Sequence, residues 1–328
     1  MEMPPTNWRD EFVLARDMRS RGQETELRDL VRKGHFVPVT RGVYRIREFV
    51  SVDAQLGRAD SFLARVRATD LSWGGELVFA GFAAAAVWRI PAIGRLPDRI
   101  DVASAPAAGG RSNSALRRSY VPDVNEFEVV DGLKVTSVTR TAIDVARWGT
   151  FGQGVVACDA ALHGLQNSHG EPARPGVSPS DLLAESRSLG PVPGKRKCVA
   201  AVAFSNGAAE SPGESVSRVG IHVLGFPSPI LQHAFYDSAG FIGIVDFWWP
   251  EFNLIGEFDG FGKYIRNEFT HGRDTASIVM DEKRRENRLR ATMSHPNVAR
   301  WEWGDAMSLP RLRSVLANAG LPQSPRSR

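Results

Sequence analysis

Asp246 stands where an apolar strand would not ordinarily carry a charge. The run FIGIVDFWW sets it between Val245 and Phe247, with Ile242 and Ile244 just before it. A carboxylate among β-branched and aromatic neighbours loses hydration, so it needs a partner. Glu257 and Asp259 repeat the anomaly at the end of the next apolar run, and their spacing projects both to one face of a strand. If runs 241–249 and 252–258 pair antiparallel across Pro250 and Glu251, Asp246 and Glu257 lie near one another on adjacent strands. Three carboxylates then crowd one sheet face and repel unless a cation neutralises them. Mg²⁺ or Mn²⁺, held by Asp246, Glu257 and Asp259, suits such hard oxygen donors. The plain alternative is a set of solvated acids held by nearby arginines.

The elements that must position these acids follow from the pattern around them. Residues 211–224 read as a helix, 230–236 as a strand, and the acid hairpin as two more strands. Residues 279–292 read as a charged helix, 298–303 as a fourth strand and 309–319 as a closing helix. The order α-β-β-β-α-β, with acids on the second and third strands, is that of a PD-(D/E)XK (restriction-endonuclease-like) core. Trp248, Trp249, Trp301 and Trp303 alternate on strands and read as core. Arg284, Arg285, Arg288 and Arg290, balanced by Asp281, Glu282 and Glu286, read as a solvated helix face.

A closer likeness runs through the same region. Ser211-Pro212-Gly213-Glu214, Gly225-Phe226-Pro227 with Gln232, and Val245-Asp246-Phe247-Trp248-Trp249-Pro250 come first. Glu257-Phe258-Asp259-Gly260, Lys283 through Leu289, and Arg300-Trp301 complete it. Taken in order, these resemble the Vsr-like, very-short-patch-repair type endonuclease domains, over roughly a third of the chain. The resemblance implies Mg²⁺-dependent hydrolysis of phosphodiesters. Asp246 and Glu257 would hold the metal, Glu214 would reach in from its helix, and Asp259 would join as ligand or water-orienting group. A metal in such a site lowers the pKa of bound water and neutralises charge on the phosphate. The lysine usual two residues after the glutamate is here Asp259, which leaves Lys263 and Lys283 as substitutes.

At the other end, residues 12–21 and 24–33 read as two short helices punctuated by Gly22 and Gly34. Residues 36–39 and 43–46 read as a small hairpin turning at Thr40-Arg41-Gly42. Helix, helix, hairpin is the order of a winged helix-turn-helix. Arg28, Arg32, Lys33, Arg41, Arg45 and Arg47 stand against a single acid, Asp29, an asymmetry suited to DNA phosphates. A charge-rich helical module that is merely solvated is the plain alternative. The stretch TELRDLVRKGHFVPVTRGVYR, with Gly42-Val43-Tyr44 on the wing, resembles the N-terminal segment of the AbiEi family of antitoxins. That likeness implies a DNA-binding regulator paired with a nucleotidyltransferase toxin.

Between the two, residues 77–90 read as a small-residue helix ended by Pro91, and 100–103 and 133–136 as strands. Residues 138–146 read as a helix capped by Thr139, on which Arg140 and Asp144 stand one turn apart and simply pair. The run SVTRTAIDVAR is similar to the region after the winged helix in AbiEi-like proteins. Residues 165–195, rich in Gly, Pro and Ser, read as a connection with a helical island at 179–186.

The 328 residues, 42% hydrophobic with a net charge of +4, fit about two globular domains and permit a polyanionic partner. No apolar run is long enough to cross a bilayer, and the N-terminus lacks the features of a signal peptide, so a cytoplasmic protein with no membrane partner is expected. Cys158 and Cys198 have no Cys or His at zinc spacing. The expected architecture is α+β. A winged-helix module occupies 8–50, an AbiEi-like α/β region 51–164 and a linker with short helices 165–207. A PD-(D/E)XK nuclease-like domain follows at 208–320, with a tail at 321–328. The expected activity is that of a Vsr-like endonuclease guided to DNA by the winged helix. The alternative is an AbiEi-type antitoxin and transcriptional regulator with a degenerate nuclease fold.

Overall fold

The computed structural model describes residues 7–51, 56–105, 112, 114–121, 124–166, 171–260, 284–285, 287–289, 291 and 295–323. The chain is α+β, with several sheets, and divides into two compact units, Met1–Ala203 and Phe204–Arg328.

The first unit opens with β1 (Phe12–Leu14), α1 (Ala15–Ser20), α2 (Glu24–Arg32), β2 (Phe36–Thr40) and β3 (Val43–Ile46), the strands in the order β1-β3-β2. The expected first helix is shorter than its pattern. Phe12, buried, and β-branched Val13 instead pair with β3 in the register Phe12↔Arg45, Val13↔Tyr44. Gly42, at φ 76, supplies the left-handed residue at the turn between β2 and β3. The small sheet is tied to the rest of its unit by polar contacts. Trp8 Nε1 donates to the Asp131 carbonyl at 2.7 Å, and Arg45 reaches Asp60 on the following helix at 2.6 Å.

That helix is α3 (Leu56–Ser72), followed by β4 (Val78–Phe79), α4 (Gly81–Val87), β5 (Ile100–Ser104), β6 (Leu116–Tyr120), β7 (Glu128–Val130) and β8 (Leu133–Val135). Their sheet runs β6-β5-β4-β8-β7. The helix expected over 77–90 is thus corrected, because Val78 and Phe79 enter the sheet between Val102 and Val135 and only then does α4 begin. Then come α5 (Val138–Trp148), α6 (Phe151–His163), the pair β9 (Gly164–Gln166) and β10 (Pro172–Pro175), α7 (Pro179–Ser188) and α8 (Lys195–Phe204). The cap of α5 is Ser137, whose hydroxyl takes the Arg140 N–H, rather than Thr139. Arg140 and Asp144 pair as expected, at 3.1 Å.

The second unit is built from α9 (Pro212–Leu224), β11 (Ile230–Asp237), β12 (Gly240–Trp249), β13 (Leu254–Asp259), β14 (Asn297–Glu302), α10 (Trp303–Ala306) and α11 (Leu309–Asn318). The sheet runs β11-β12-β13-β14, antiparallel except that β14 is parallel to β13. A parallel neighbour requires a crossover, which the chain between 260 and 297 supplies. Most of the charged helix expected at 279–292 lies outside the described residues, though 284–285 and 287–289 are helical. Trp249 and Trp301 are fully buried and Trp248 nearly so. Their indoles are satisfied where the core demands it: Trp249 Nε1 bonds the Pro227 carbonyl and Trp301 Nε1 the Ser217 hydroxyl, each at 2.8 Å. No helix among the described residues is long and apolar enough to cross a membrane.

Candidate functional site

Glu214 of α9 stands near Asp246 of β12, and Glu257 lies on the neighbouring strand β13. The pairing of β12 with β13 ends at Phe247↔Gly256, and Asp246 and Glu257 are the next residue of each strand beyond it. Asp246 Oδ2 accepts the Phe258 N–H at 2.8 Å, tying the strands together beyond that last pair. Glu214 arrives from the first turn of α9. Ser211 caps that helix, donating its hydroxyl to Glu214 Oε1 at 2.7 Å and accepting the Glu214 N–H at 3.2 Å. The helix can approach this closely because residue 213 is glycine, since a Cβ there would run into the Phe258 ring of β13. Asp259, half-buried, ends β13 on the face that Glu257 occupies.

Glu214 is buried, and burial pushes its carboxyl above the ordinary glutamate range, an effect increased by the charge of Asp246. Hydrogen bonds oppose the shift. Besides the Ser211 hydroxyl, the Glu210 N–H reaches Oε2 at 3.0 Å and the Gln232 side-chain amide reaches it at 2.9 Å. Gln232 is an outlier in its own strand. It stands at φ 50, left-handed, in the middle of β11 and opposite Asp246 by the register Leu231↔Phe247, His233↔Val245. A residue of this type held there costs about 1–3 kcal/mol of strain.

Glu257, on the central strand β13, is more deeply buried and differently held. Arg285 Nη2 donates to its Oε1 at 3.0 Å, and Arg300 Nη2 stands 3.1 Å from its Oε2. Arg285 comes from the helical segment after 283, and Arg300 from β14, where it is the register partner of Glu257. Arg285 therefore does not belong to a merely solvated face. Arg288 likewise turns back to bond Asp237 at 2.7 Å.

The donor chemistry is all oxygen, as Mg²⁺ or Mn²⁺ prefers. The grouping is a different matter. Among the described residues no three His, Cys, Asp or Glu side chains gather to hold a metal, and the guanidiniums of Arg285 and Arg300 stand within ion-pair distance of Glu257. As arranged, these residues do not form the metal site that the sequence leads one to expect.

The remaining expected residues scatter. Lys263 and Lys283 lie outside the described residues. Arg28, Lys33 and Arg41 are exposed in the first unit, and Arg32 pairs with Asp29 at 2.8 Å on the surface of α2. Arg45 is corrected. It is buried between Glu11 and Asp60, at 2.7 and 2.6 Å, where it fastens the small sheet to α3 rather than facing a ligand. Gln232, Arg285 and Arg300 were not among the expected site residues. The signal for Arg300 is an arginine within VARW, an otherwise apolar strand.

Known proteins add little to this geometry. No family model matches the chain. The uncharacterized proteins MT2308 and Rv2248, from the CDC 1551 / Oshkosh and ATCC 25618 / H37Rv strains of Mycobacterium tuberculosis, are each 28% identical to it over 239 residues. The match covers 70% of this chain and 75% of each relative. The crystal structure of the RV2827C protein from Mycobacterium tuberculosis aligns over 72% of this chain and 90% of its own, with 14% identity and a TM-score of 0.35. That likeness is too distant to carry an argument.

Proposed function

We propose that this is a DNA-interacting protein whose second unit is a Vsr-like, PD-(D/E)XK endonuclease-type module acting on phosphodiesters. The observation that carries the reading is that Asp246 and Glu257 stand on paired strands, each next to the last register pair Phe247↔Gly256, with Glu214 near Asp246. The strand order supports it, since an antiparallel β11-β12-β13 followed by a parallel β14 puts acids on the second and third strands. The reading retains Mg²⁺ or Mn²⁺ as a ligand of Asp246, Glu257 and Asp259, and the arginines on Glu257 are the departure it must answer. The first unit would deliver DNA as a winged helix, through Arg28, Arg32, Lys33 and Arg41.

A second reading draws on that same departure. A glutamate held by two arginines, with aspartate in the place usual for lysine, suits a nuclease fold kept for shape in an AbiEi-type antitoxin and regulator with a nucleotidyltransferase toxin as partner. The deciding experiment incubates plasmid and short duplex DNA with Mg²⁺ or Mn²⁺ and either wild type or an Asp246→Ala, Glu257→Ala double variant. Cutting by wild type alone supports the endonuclease. No cutting by either, across metals and substrates, removes it, and binding to the protein's own promoter then supports the regulator.

A further inference from the structure

A cavity of about 330 Å³ lies within the first unit, walled by α3, α4, α5, α6 and the turn that leaves α4. Protein cores leave few voids larger than a water molecule, so a space of this size is out of the ordinary, and it falls in the range of small-molecule sites. Its walls are apolar. Phe62, Phe82, Ile90, Ile93 and Leu96 stand round it, the first four of them buried. Such a surface holds water poorly and gains dispersion contacts from an apolar guest.

Three lining side chains are polar, and two of them are already engaged. Asp60 pairs with Arg45 at 2.6 Å. Gln153 donates its amide to the Ile93 and Arg95 carbonyls, at 2.8 and 3.1 Å, and accepts the Thr150 N–H at 2.8 Å. The third is Arg89, exposed, whose guanidinium has no hydrogen bond or ion pair among the described residues. Its backbone makes the residue type more telling. Arg89 stands at φ 60 directly after the cap of α4, where the Ile90 N–H bonds the Ala85 carbonyl at 2.9 Å. A helix end favours glycine in that place, so the arginine is held there against backbone strain. An exposed cation in the last turn would complement the end of α4 without that strain.

We infer that this cavity binds a small carboxylic acid with an aliphatic or aromatic body, the body among the apolar walls and the carboxylate on the guanidinium of Arg89. A guanidinium fork matches a carboxylate, and one fork balances one negative charge, which favours a monoanion over a phosphate dianion. The site lies wholly in the first unit, and the inference does not depend on the reading of the second.

The test compares full-length wild type with Arg89→Gly, Ala86→Phe and, as a charge control, Arg313→Gln on the exposed face of α11. Calorimetry near neutral pH measures binding of octanoate and of phenylbutyrate, with octanol as the uncharged counterpart. Wild type is expected to bind at least one of the acids, and octanoate more tightly than octanol. Arg89→Gly should weaken binding of the acid about tenfold relative to the control and leave octanol unchanged. It should melt no lower than wild type, because glycine relieves the strain, so its weaker binding cannot be laid to misfolding. Ala86 lines the cavity from α4, and Ala86→Phe should abolish binding of acid and alcohol alike. If that variant folds poorly, the glycine variant still decides. Several results overturn the site: neither acid bound by wild type at millimolar concentration, octanol bound as tightly as octanoate, Arg89→Gly equal to the control, or undiminished binding by folded Ala86→Phe.

Discussion

Each unit buries a carboxylate between two arginines, and the two trios differ in where the arginines come from. In the first unit Asp144 is fully buried on α5 and is held by Arg140 and Arg147 of the same helix, at 3.1 and 3.0 Å. Arg140 also reaches Glu185 on α7 at 3.2 Å, so two cations meet two anions and the network closes. In the second unit Glu257 draws its arginines from β14 and from the segment after residue 283. The first network is local and balanced, as a structural fastening should be. The second is assembled across the fold, from a strand and a helical segment that meet only in the folded unit.

The largest expected effect tests the structural side of that contrast. Asp144→Ala leaves two mostly buried guanidiniums facing a void. Breaking such a buried pair by removing one partner costs about 3–5 kcal/mol. Urea unfolding of the full chain should therefore show the transition of the first unit moved to markedly lower denaturant. A loss below about 1 kcal/mol would mean that the trio on α5 is no more structural than a surface pair.

The next effect has the opposite sign and belongs to the second unit. Gln232→Gly removes a strained left-handed residue from the middle of β11 and with it the amide bond to Glu214. If the strain exists to serve the acid cluster rather than the fold, the variant gains about 1 kcal/mol of stability while Mn²⁺ binding weakens. Thermal melts in EDTA read the first quantity and calorimetry the second. A destabilised variant would show that the fold itself needs the residue.

The sequence was most legible where one face of an element meets one core. Alternation gave β12, β13 and β14 within a residue or two of their observed ends, and Ser211 before Pro212 marked the start of α9. The Arg140–Asp144 pair was readable because helical spacing alone brings its members together. A capping box at Thr150 and Gln153 was also available for α6, and no helix was expected there. The misses came from tertiary choices. Phe12 and Val13 join a sheet because β3 offers them an edge, and Arg45 is buried because Glu11 and Asp60 converge on it from elements that spacing cannot place. Arg285 and Arg300 join Glu257 only after the crossover to β14, and the left-handed Gln232 has no local signal.

A subtler effect compares how the buried acids respond to pH. Burial raises the carboxyls of both Asp144 and Glu214, but arginines oppose the shift at Asp144, whereas Asp246 adds to it at Glu214. A carboxyl whose pKa is raised on folding binds its proton more tightly in the native state. Its contribution to stability therefore falls as pH climbs from the ordinary value of 4.5 through the raised one, and levels off above it. Glu214→Gln should remove that fall, so wild type should lose stability relative to the variant as pH rises through this window. Parallel stability curves for the two proteins would show that the neutral donors offset burial and the charge of Asp246 at Glu214.

The smallest effect makes a thiol report on the closed network. Burial pushes Cys198 up to about 11, with Arg147 drawing it down and Asp144 pushing it further up. Since the thiolate is the reactive form, folded protein should scarcely label with a disulfide reagent at pH 8. In a Cys158→Ala background, which leaves Cys198 as the lone thiol, the two neighbours should act in opposite directions. Asp144→Asn removes a charge that disfavours the thiolate and should speed labelling at pH 9. Arg147→Gln removes one that favours it and should slow labelling. Local loosening of α5 would speed both, so opposite signs identify electrostatics as the cause. Matching signs would mean that the trio on α5 acts on Cys198 through packing, and the contrast between a local network and one assembled across the fold would then rest on the second unit alone.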